Sequence, residues 1–521
     1  MPCLCDLLTD RFSAITKMAP SAHPSSVLLF SAPAGRLPEL ASALKAAGAR
    51  LMAEWAVDET AFGLGFAVYL AFNSGKEHLL LKSDVPEQDP SFPSIAGIYP
   101  AANRFERQIM SLFGIIALGH PDPRPWIKHE DWPEDAFPLR KSFDASKFLE
   151  RRDGTYDWIQ ATGDGVYEIP VGPVHAGIIE PGHFRFQAIG EDIINLEERL
   201  GYVHKGIEKR FESLPILEGY KLAGRVSGDT TVAHSIAYCQ ALEAAGESQI
   251  PPRAAWIRAV LLELERLVNH ISDIGAICND AAFTFMLYQT AILRERILKM
   301  NLTLFGHRLM MDCVIPGGVS VDITAALAIL SELDFTSREF ERLIVIYEGN
   351  PSLEDRLYGA GVLSPSIASE LGVVGFVARA SGAALDARLQ MPFAPYDTIV
   401  PDAPLLTSGD VHARAWVRVL EVRESIRLIR EFLRGLPHGP LSIDCRTPLS
   451  GASGFSTVEG WRWEIVYWLQ AGHDGTINRC MVRDPSSVNW VALEHAVKGN
   501  IVPDFPLCNK SFNQSYSGND L

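Results

Sequence analysis

Cysteine is scarce: eight residues in 521, at positions 3, 5, 239, 278, 313, 445, 480 and 508, with no C-x-x-C pair among them. Disulfide scaffolds need dense cysteines, and zinc or iron–sulfur sites need closely paired thiolates, so neither is expected. The six internal cysteines are expected to be buried, reduced and hydrophobic in character, which leaves Cys3 and Cys5 as an isolated C-x-C. Positive charge is also short, with 47 Lys+Arg against 63 Asp+Glu and a net charge of −16. Such a surface repels phosphates, so nucleic acid is excluded as a partner. Long apolar runs are missing too: none reaches the roughly 18 to 20 uncharged residues of a membrane span. Asp6, Asp10 and Arg11 interrupt the start of the chain, so no secretory signal is expected and the location is read as cytoplasmic. Phosphate-cradling loops are missing as well, since Gly-Gly occurs only at Gly317-Gly318 and neither a Walker loop nor a G-x-S-x-G elbow is present.

What remains is a chain with 47% hydrophobic and 21% charged residues, enough apolar material for a large core. Its patterning predicts an α+β fold in two parts. Residues 1–144 read as a small α+β domain, with strands around SVLLFS and FGLGFAVYLAF and a helical stretch Leu37–Val57 between them. The segment Ile98–Phe143, rich in Pro and Trp, reads as an irregular tail of that domain, and 145–165 as a linker. Residues 166–521 open with strand-like pieces to Gln187. Helical spacing then recurs at Leu196–Phe211, Val232–Ala244, Arg253–Ala276, Phe283–Phe305, Ile323–Glu348, Ser366–Leu371 and His412–Leu433, which together imply a bundle. Short strands at Gly460–Leu469 and Ile477–Val482 return at the β margin, followed by a polar tail.

Several segments carry candidate chemistry. His175 and His183 flank a Gly/Pro-rich turn in GPVHAGIIEPGHFRFQ, and imidazole titrates near neutral pH. Bracing of a hairpin explains them equally well. His204 and Glu208 stand four apart in GYVHKGIEKR, on one face if that segment is helical. RVSGDTTVAH, Arg225 to His234, supplies Ser, Asp and Thr before a helix and suits an N-cap. Glu263, Arg266 and His270 form one helical stripe, which fits a buried ion-pair network as well as a ligand set.

In this order, GPVH…PGHFR, GYVHKGIEK, Arg225-Val226 with Ala233-His234, LLELERLVNH, GHRL from Gly306, PGGV from Pro316, ARASGAALDAR, GDVHAR and DPSSVNW resemble the large subunit of membrane-bound nickel–iron hydrogenases of the formate hydrogenlyase type. The same segments are similar to the 49 kDa-type subunit of respiratory complex I. NRFERQIMSLFGIIALGHPDPR and PLRKSF resemble the 30 kDa-type subunit, so the resemblance spans nearly the whole chain as a fused pair.

This resemblance implies a peripheral-arm subunit of a membrane-associated oxidoreductase. Its partners would be an iron–sulfur small subunit holding the cluster, antiporter-like membrane subunits and other peripheral-arm subunits, on the inner face of the cell membrane. In the hydrogenases, nickel and iron are held by two C-x-x-C pairs. Here the first pair falls on Ser227 and Thr230, and the tail from Asp504 offers Cys508 alone, so neither a nickel–iron centre nor C-terminal processing is expected. In complex I a turn histidine and a tyrosine reach the quinone headgroup; the first matches His183 and the second falls on Gly228. Quinone remains the cofactor that the resemblance allows. The site is expected at His175, His183, Glu208 and His234, in proton relay or headgroup binding, together with Ser227, Gly228, Asp229 and Thr230; Arg462 is a weaker counterpart of a family arginine. Two other readings stay open: a structural and coupling subunit without chemistry of its own, and an unusual metal site built from Ser227, Asp229, His234 and Cys508. An active hydrogenase large subunit is the remaining alternative.

Overall fold

The computed structural model describes Leu4, Leu8 and residues 15–18, 27–128, 132–150, 155–177, 179–212 and 214–521; Cys3 and Cys5 lie outside the described residues. The first unit is a sheet of β1 (Val27–Ser31), β2 (Arg50–Asp58), β3 (Phe66–Ser74) and β4 (Glu77–Val85), with a short strand at Thr16–Lys17 beside β1. β1 pairs in parallel with β4, and β3 and β2 follow antiparallel. Helices α1 (Leu37–Ala46) and α2 (Ala102–Phe113) bring Leu40, Leu44, Phe105 and Ile109 into one buried cluster with Val68, Leu70 and Leu81.

Two expectations for this unit are corrected. The helical reading of Leu37–Val57 holds only to Ala46, because Gly48 at φ 78° turns the chain and Arg50–Asp58 pairs as a strand. The segment Ile98–Phe143 contains the regular helix α2, whose buried side seals the sheet.

The second unit begins with an antiparallel meander, β5 (Val166–Val171), β6 (His183–Ile189) and β7 (Asp192–Arg199). Here the expected helix Leu196–Phe211 is replaced by strand up to Arg199 and by a short α3 (Ile207–Phe211), with Gly201 and Gly206 at positive φ between them. Tertiary pairing of Glu197 with Arg185 and of Arg199 with His183 overrides the local helical pattern.

The bundle follows the sequence periodicity closely: α4 (Thr231–Ala245), α5 (Pro252–Asp280), α6 (Thr284–Phe305), α7 (Ala326–Glu348) and α8 (Val411–Gly435). α5 starts with Pro252 at its first position, where a missing N–H costs nothing. It is buried on all sides, and its charges are met inside the protein: Arg258 by Glu243 (2.6 Å), Glu263 by Arg388 (3.1 Å) and Asp273 by Arg418 (3.1 Å). Among the described residues, no helix is long and apolar enough to cross a membrane.

A second antiparallel sheet, β8 (Ser453–Glu459), β9 (Glu464–Ala471) and β10 (Ile477–Arg483), stacks on the free face of the first. Trp468 sits 5.7 Å from the Trp55 ring and 4.8 Å from Tyr69. Covered on both faces, β3 is apolar without interruption from Phe66 to Phe72. The tail is not a polar appendage: α9 (Ser486–Ala496), α10 (Phe505–Phe512) and α11 (Tyr516–Asp520) bury Phe505, Leu507, Phe512 and all of Tyr516–Asp520.

Candidate functional site

Ser227 lies in extended backbone, and Gly228–Thr230 make one tight turn before α4 begins. That turn is pinned from two sides, because Trp461 Nε1 and Asn269 Nδ2 both donate to the Asp229 carbonyl at 2.9 Å. Its carboxylate therefore has a fixed direction and meets Arg462. Arg462 Nη1 and Nη2 donate to Asp229 Oδ1 and Oδ2 at 2.9 and 2.7 Å, a two-pronged pair. Ser227 Oγ (2.6 Å) and Thr230 Oγ1 (2.9 Å) also donate to Asp229 Oδ1. Burial pushes the Asp229 acid up, but Arg462 and these hydroxyls outweigh it and hold the carboxyl at about 2.

The buried tail completes the site. Ser515 Oγ donates to Ser227 Oγ at 3.2 Å, and its N–H donates to Ser486 Oγ at 2.8 Å. Ser486 N–H reaches Asp484 Oδ1 at 2.8 Å, and Asp484 Oδ2 lies 3.2 Å from His234 Nε2. His234 Nδ1 lies 3.0 Å from the Tyr467 hydroxyl. A polar line thus runs from Arg462 through Asp229, Ser227, Ser515, Ser486 and Asp484 to His234. Arg462 Nε fixes its outer end by donating to the Asn513 carbonyl at 2.6 Å.

The other expected residues stand apart from this line. His175 borders a cavity of about 540 Å³ shared with Phe184, Asn509, Lys510 and Tyr516, and its Nε2 lies 2.7 Å from the Gly182 carbonyl. His183 is buried against Trp158, 5.0 Å ring to ring, with Nδ1 3.4 Å from the Gly172 carbonyl, and burial lowers its basicity. Glu208 accepts from Arg479 Nη2 and from the Val482 N–H, both at 3.1 Å, while His204 precedes α3 and faces the Asp520 carbonyl at 2.6 Å. Gly228 is exposed, with open space where a side chain would be.

Sequence reasoning did not assign roles to Ser515, Ser486, Asp484 or Tyr467. Asp484 and Ser486 were visible in the DPSSVNW segment, but Ser515 sits in a tail whose polarity reads as solvent exposure.

A nickel–iron group does not fit here. Ser227, Thr230 and Ser515 present hydroxyls that stay protonated at neutral pH, and the Asp229–Arg462 pair is already neutral, so nothing attracts a soft divalent ion. Cys508 packs against Gly361 and Arg414, its thiol pushed up to about 12 by burial. Among the described residues, no group of three or more His, Cys, Asp or Glu is arranged to hold a metal. The metal site of Ser227, Asp229, His234 and Cys508 is therefore not assembled.

Residues 30–149 match the family described as "Respiratory-chain NADH dehydrogenase, 30 Kd subunit", and residues 280–452 match "Respiratory-chain NADH dehydrogenase, 49 Kd subunit". Over 475 residues the chain is 34% identical to formate hydrogenlyase subunit 5 of Escherichia coli (strain K12), covering 89% of this chain and 83% of that protein. This chain belongs to the fused 30 kDa/49 kDa subunit family. Within that family it is also 29% identical over 464 residues to the C/D fusion protein of the NADH-quinone oxidoreductase of Bacteroides fragilis, covering 85% of this chain and 88% of that one. The fold of the fused family is shared with a chain of the membrane-bound sulfane sulfur reductase, an archaeal respiratory membrane complex. That match has a TM-score of 0.65 at 24% identity and covers 70% of this chain and 100% of the other.

Proposed function

We propose that this protein is a peripheral-arm subunit of a membrane-associated, multisubunit oxidoreductase, and that it handles protons there without a nickel–iron centre of its own. Its relatives are named as subunits of formate hydrogenlyase and of NADH-quinone oxidoreductase, which supports the setting. The observation that carries the reading is the Ser227–Ser515 contact at 3.2 Å beside the Asp229–Arg462 pair, part of a hydrogen-bonded line that contains no thiolate. The Asp484–His234 pair at its inner end can hold a proton between a carboxylate and an imidazole, with Glu208 as a second carboxylate beside β10. An iron–sulfur small subunit would hold the redox centre, and membrane subunits at the inner face of the cell membrane would translocate the ion. A quinone headgroup would find His175 and Tyr516 in the 540 Å³ cavity.

A second reading, a coupling subunit without chemistry, draws on Glu208, whose two carboxylate oxygens are engaged by Arg479 and by the Val482 N–H. Elemental analysis of the complex, isolated from native membranes through a tag on this chain, tests the proposal. Iron and acid-labile sulfide without nickel, together with co-purifying membrane subunits, is the expected outcome. Stoichiometric nickel would overturn the reading of Ser227 and Thr230. Recovery solely as a free monomer would remove the subunit assignment altogether.

A further inference from the structure

Glu54 sits on β2, an edge strand of the first sheet, and is 4% exposed. Among the described residues, neither of its carboxylate oxygens has a hydrogen-bond partner. A buried, unpartnered carboxyl is costly, and chains retain one mainly where it is used. Its surroundings are specific. The edge of β2 is closed by two arginines of β10: Arg483 Nε donates to the Met52 carbonyl at 3.0 Å and Arg479 Nε to the Ala56 carbonyl at 3.3 Å, on either side of Glu54. Between them lies a cavity of about 20 Å³, room for one water molecule, lined by Glu54, Glu208, Arg479, Arg483, Gly518 and Leu521.

The groups facing Glu54 come from three elements: Glu106 on α2, Glu208 on α3, and Arg479 and Arg483 on β10. Both arginines already have anionic partners, Arg479 in Glu208 and Arg483 in Glu464, so neither is left to neutralise a charged Glu54. Burial first, and then the neighbouring Glu106, push the Glu54 acid well above its ordinary range and so favour its protonated form. Glu106 is itself raised to about 7 by burial; it accepts from Ser94 Oγ at 2.5 Å and lies 3.7 Å from His120 Nε2. Gly518, which also lines the cavity, backs directly onto the Asp484 carboxyl, the partner of His234.

We propose that Glu54 is a proton-relay residue contributed by the 30 kDa-like unit, passing protons across the one-water cavity to Glu208. In each step the Glu54 O–H bond breaks as the water takes its proton, the water releases a proton to the Glu208 carboxylate, and Glu54 is reprotonated from the Glu106 side. No electrons move, and total charge is conserved. The inference rests on the proton-handling reading of Glu208 given above, and the test separates the two.

The experiment is redox-difference infrared spectroscopy on the intact native complex, oxidised with ferricyanide and then reduced with dithionite, in H2O and in D2O. The expected result is a carbonyl-stretch band of a protonated carboxylic acid that shifts in D2O, is lost in Glu54→Gln and is altered in Glu208→Gln. Glu54→Gln copies the shape of the protonated acid, so its unfolding temperature should match that of the native complex. Glu54→Asp serves as a second variant and should retain a displaced band. A band that responds to Glu208→Gln but not to Glu54→Gln overturns the relay while leaving the Glu208 reading intact. A band that responds to Glu54→Gln alone overturns the Glu208 reading instead, and with it the cavity step. Absence of any protonated-carboxyl signal overturns the proposal for Glu54.

Discussion

Arg462 holds Asp229 through two parallel N–H···O bonds, a geometry that a lysine ammonium cannot copy. Arg462→Lys should therefore raise the Asp229 acid from about 2 toward its ordinary value while keeping the local charge. Asp229 is partly open to solvent, which screens the pair, so the loss should be about 1 kcal/mol or less, read from thermal unfolding at neutral pH. Glu263 is a different case, because its side chain is fully enclosed. Burial alone would raise it, but Arg266 and Arg388, with Ser425 and Tyr396 donating, hold it at about 2. A folded value below the unfolded one contributes stability above the unfolded value, and that contribution is lost as pH falls through the folded one. Glu263 should contribute roughly 3 kcal/mol at neutral pH, disappearing between about pH 5 and pH 2. Acid titration of unfolding free energy checks this, with Glu263→Gln expected to be less stable at pH 7 and to have a shallower acid limb.

At the scale of elements, the α5–α6 contact turns on one missing side chain. A Cβ at Gly275 would lie 1.9 Å from Thr290 Oγ1 and 3.1 Å from the Leu287 backbone on α6. Alanine would gain about 1 kcal/mol of helix propensity but would force two buried helices apart, at a cost of about 1–3 kcal/mol. Because one of the obstructing atoms is backbone, the clash should win, and Gly275→Ala should lower the unfolding temperature. An increase would show that the two helices separate more easily than their packing implies. The helices of the bundle were legible because apolar residues recur through long runs that contain neither Gly nor Pro: Val232–Ala244 and Phe283–Phe305 emerge as Thr231–Ala245 and Thr284–Phe305. Leu196–Phe211 was misread because its first residues pair with β6, and strand pairing is a long-range fact that a local window does not contain.

Over the whole molecule, the two sheets make the fused units one body. Trp468 packs on Trp55 and Tyr69, and Glu464 bridges Arg50 and Arg483 across the same seam. Trp468→Ala should cost about 3–5 kcal/mol and expose the segment between the units to limited proteolysis. Intact resistance would show that the seam is held by its charges instead. The chain also buries carboxyls whose acids are raised: Glu265 to about 8, with Glu459 and Glu106 to about 7, burial being the first cause in each. A raised acid contributes stability that is full below the unfolded value and lost as pH rises through the folded one. With the acid-labile contribution of Glu263 on the other side, stability should peak near about pH 5 and decline toward pH 8, as a thermal-unfolding series across pH can establish.

The sequence by itself determined the composition of the core and most of the bundle helices, since periodicity and residue chemistry are local properties. It also carried the family resemblance, because motif order survives without coordinates. Only the tertiary structure decided that Ser515, 288 positions away, would meet Ser227, that the polar-looking tail would be buried, and that Glu54 on a strand and Glu208 on a helix would line one cavity. Hydrogen bonds and desolvation act between whatever groups the fold brings together, and that juxtaposition is not encoded at any single stretch of the chain.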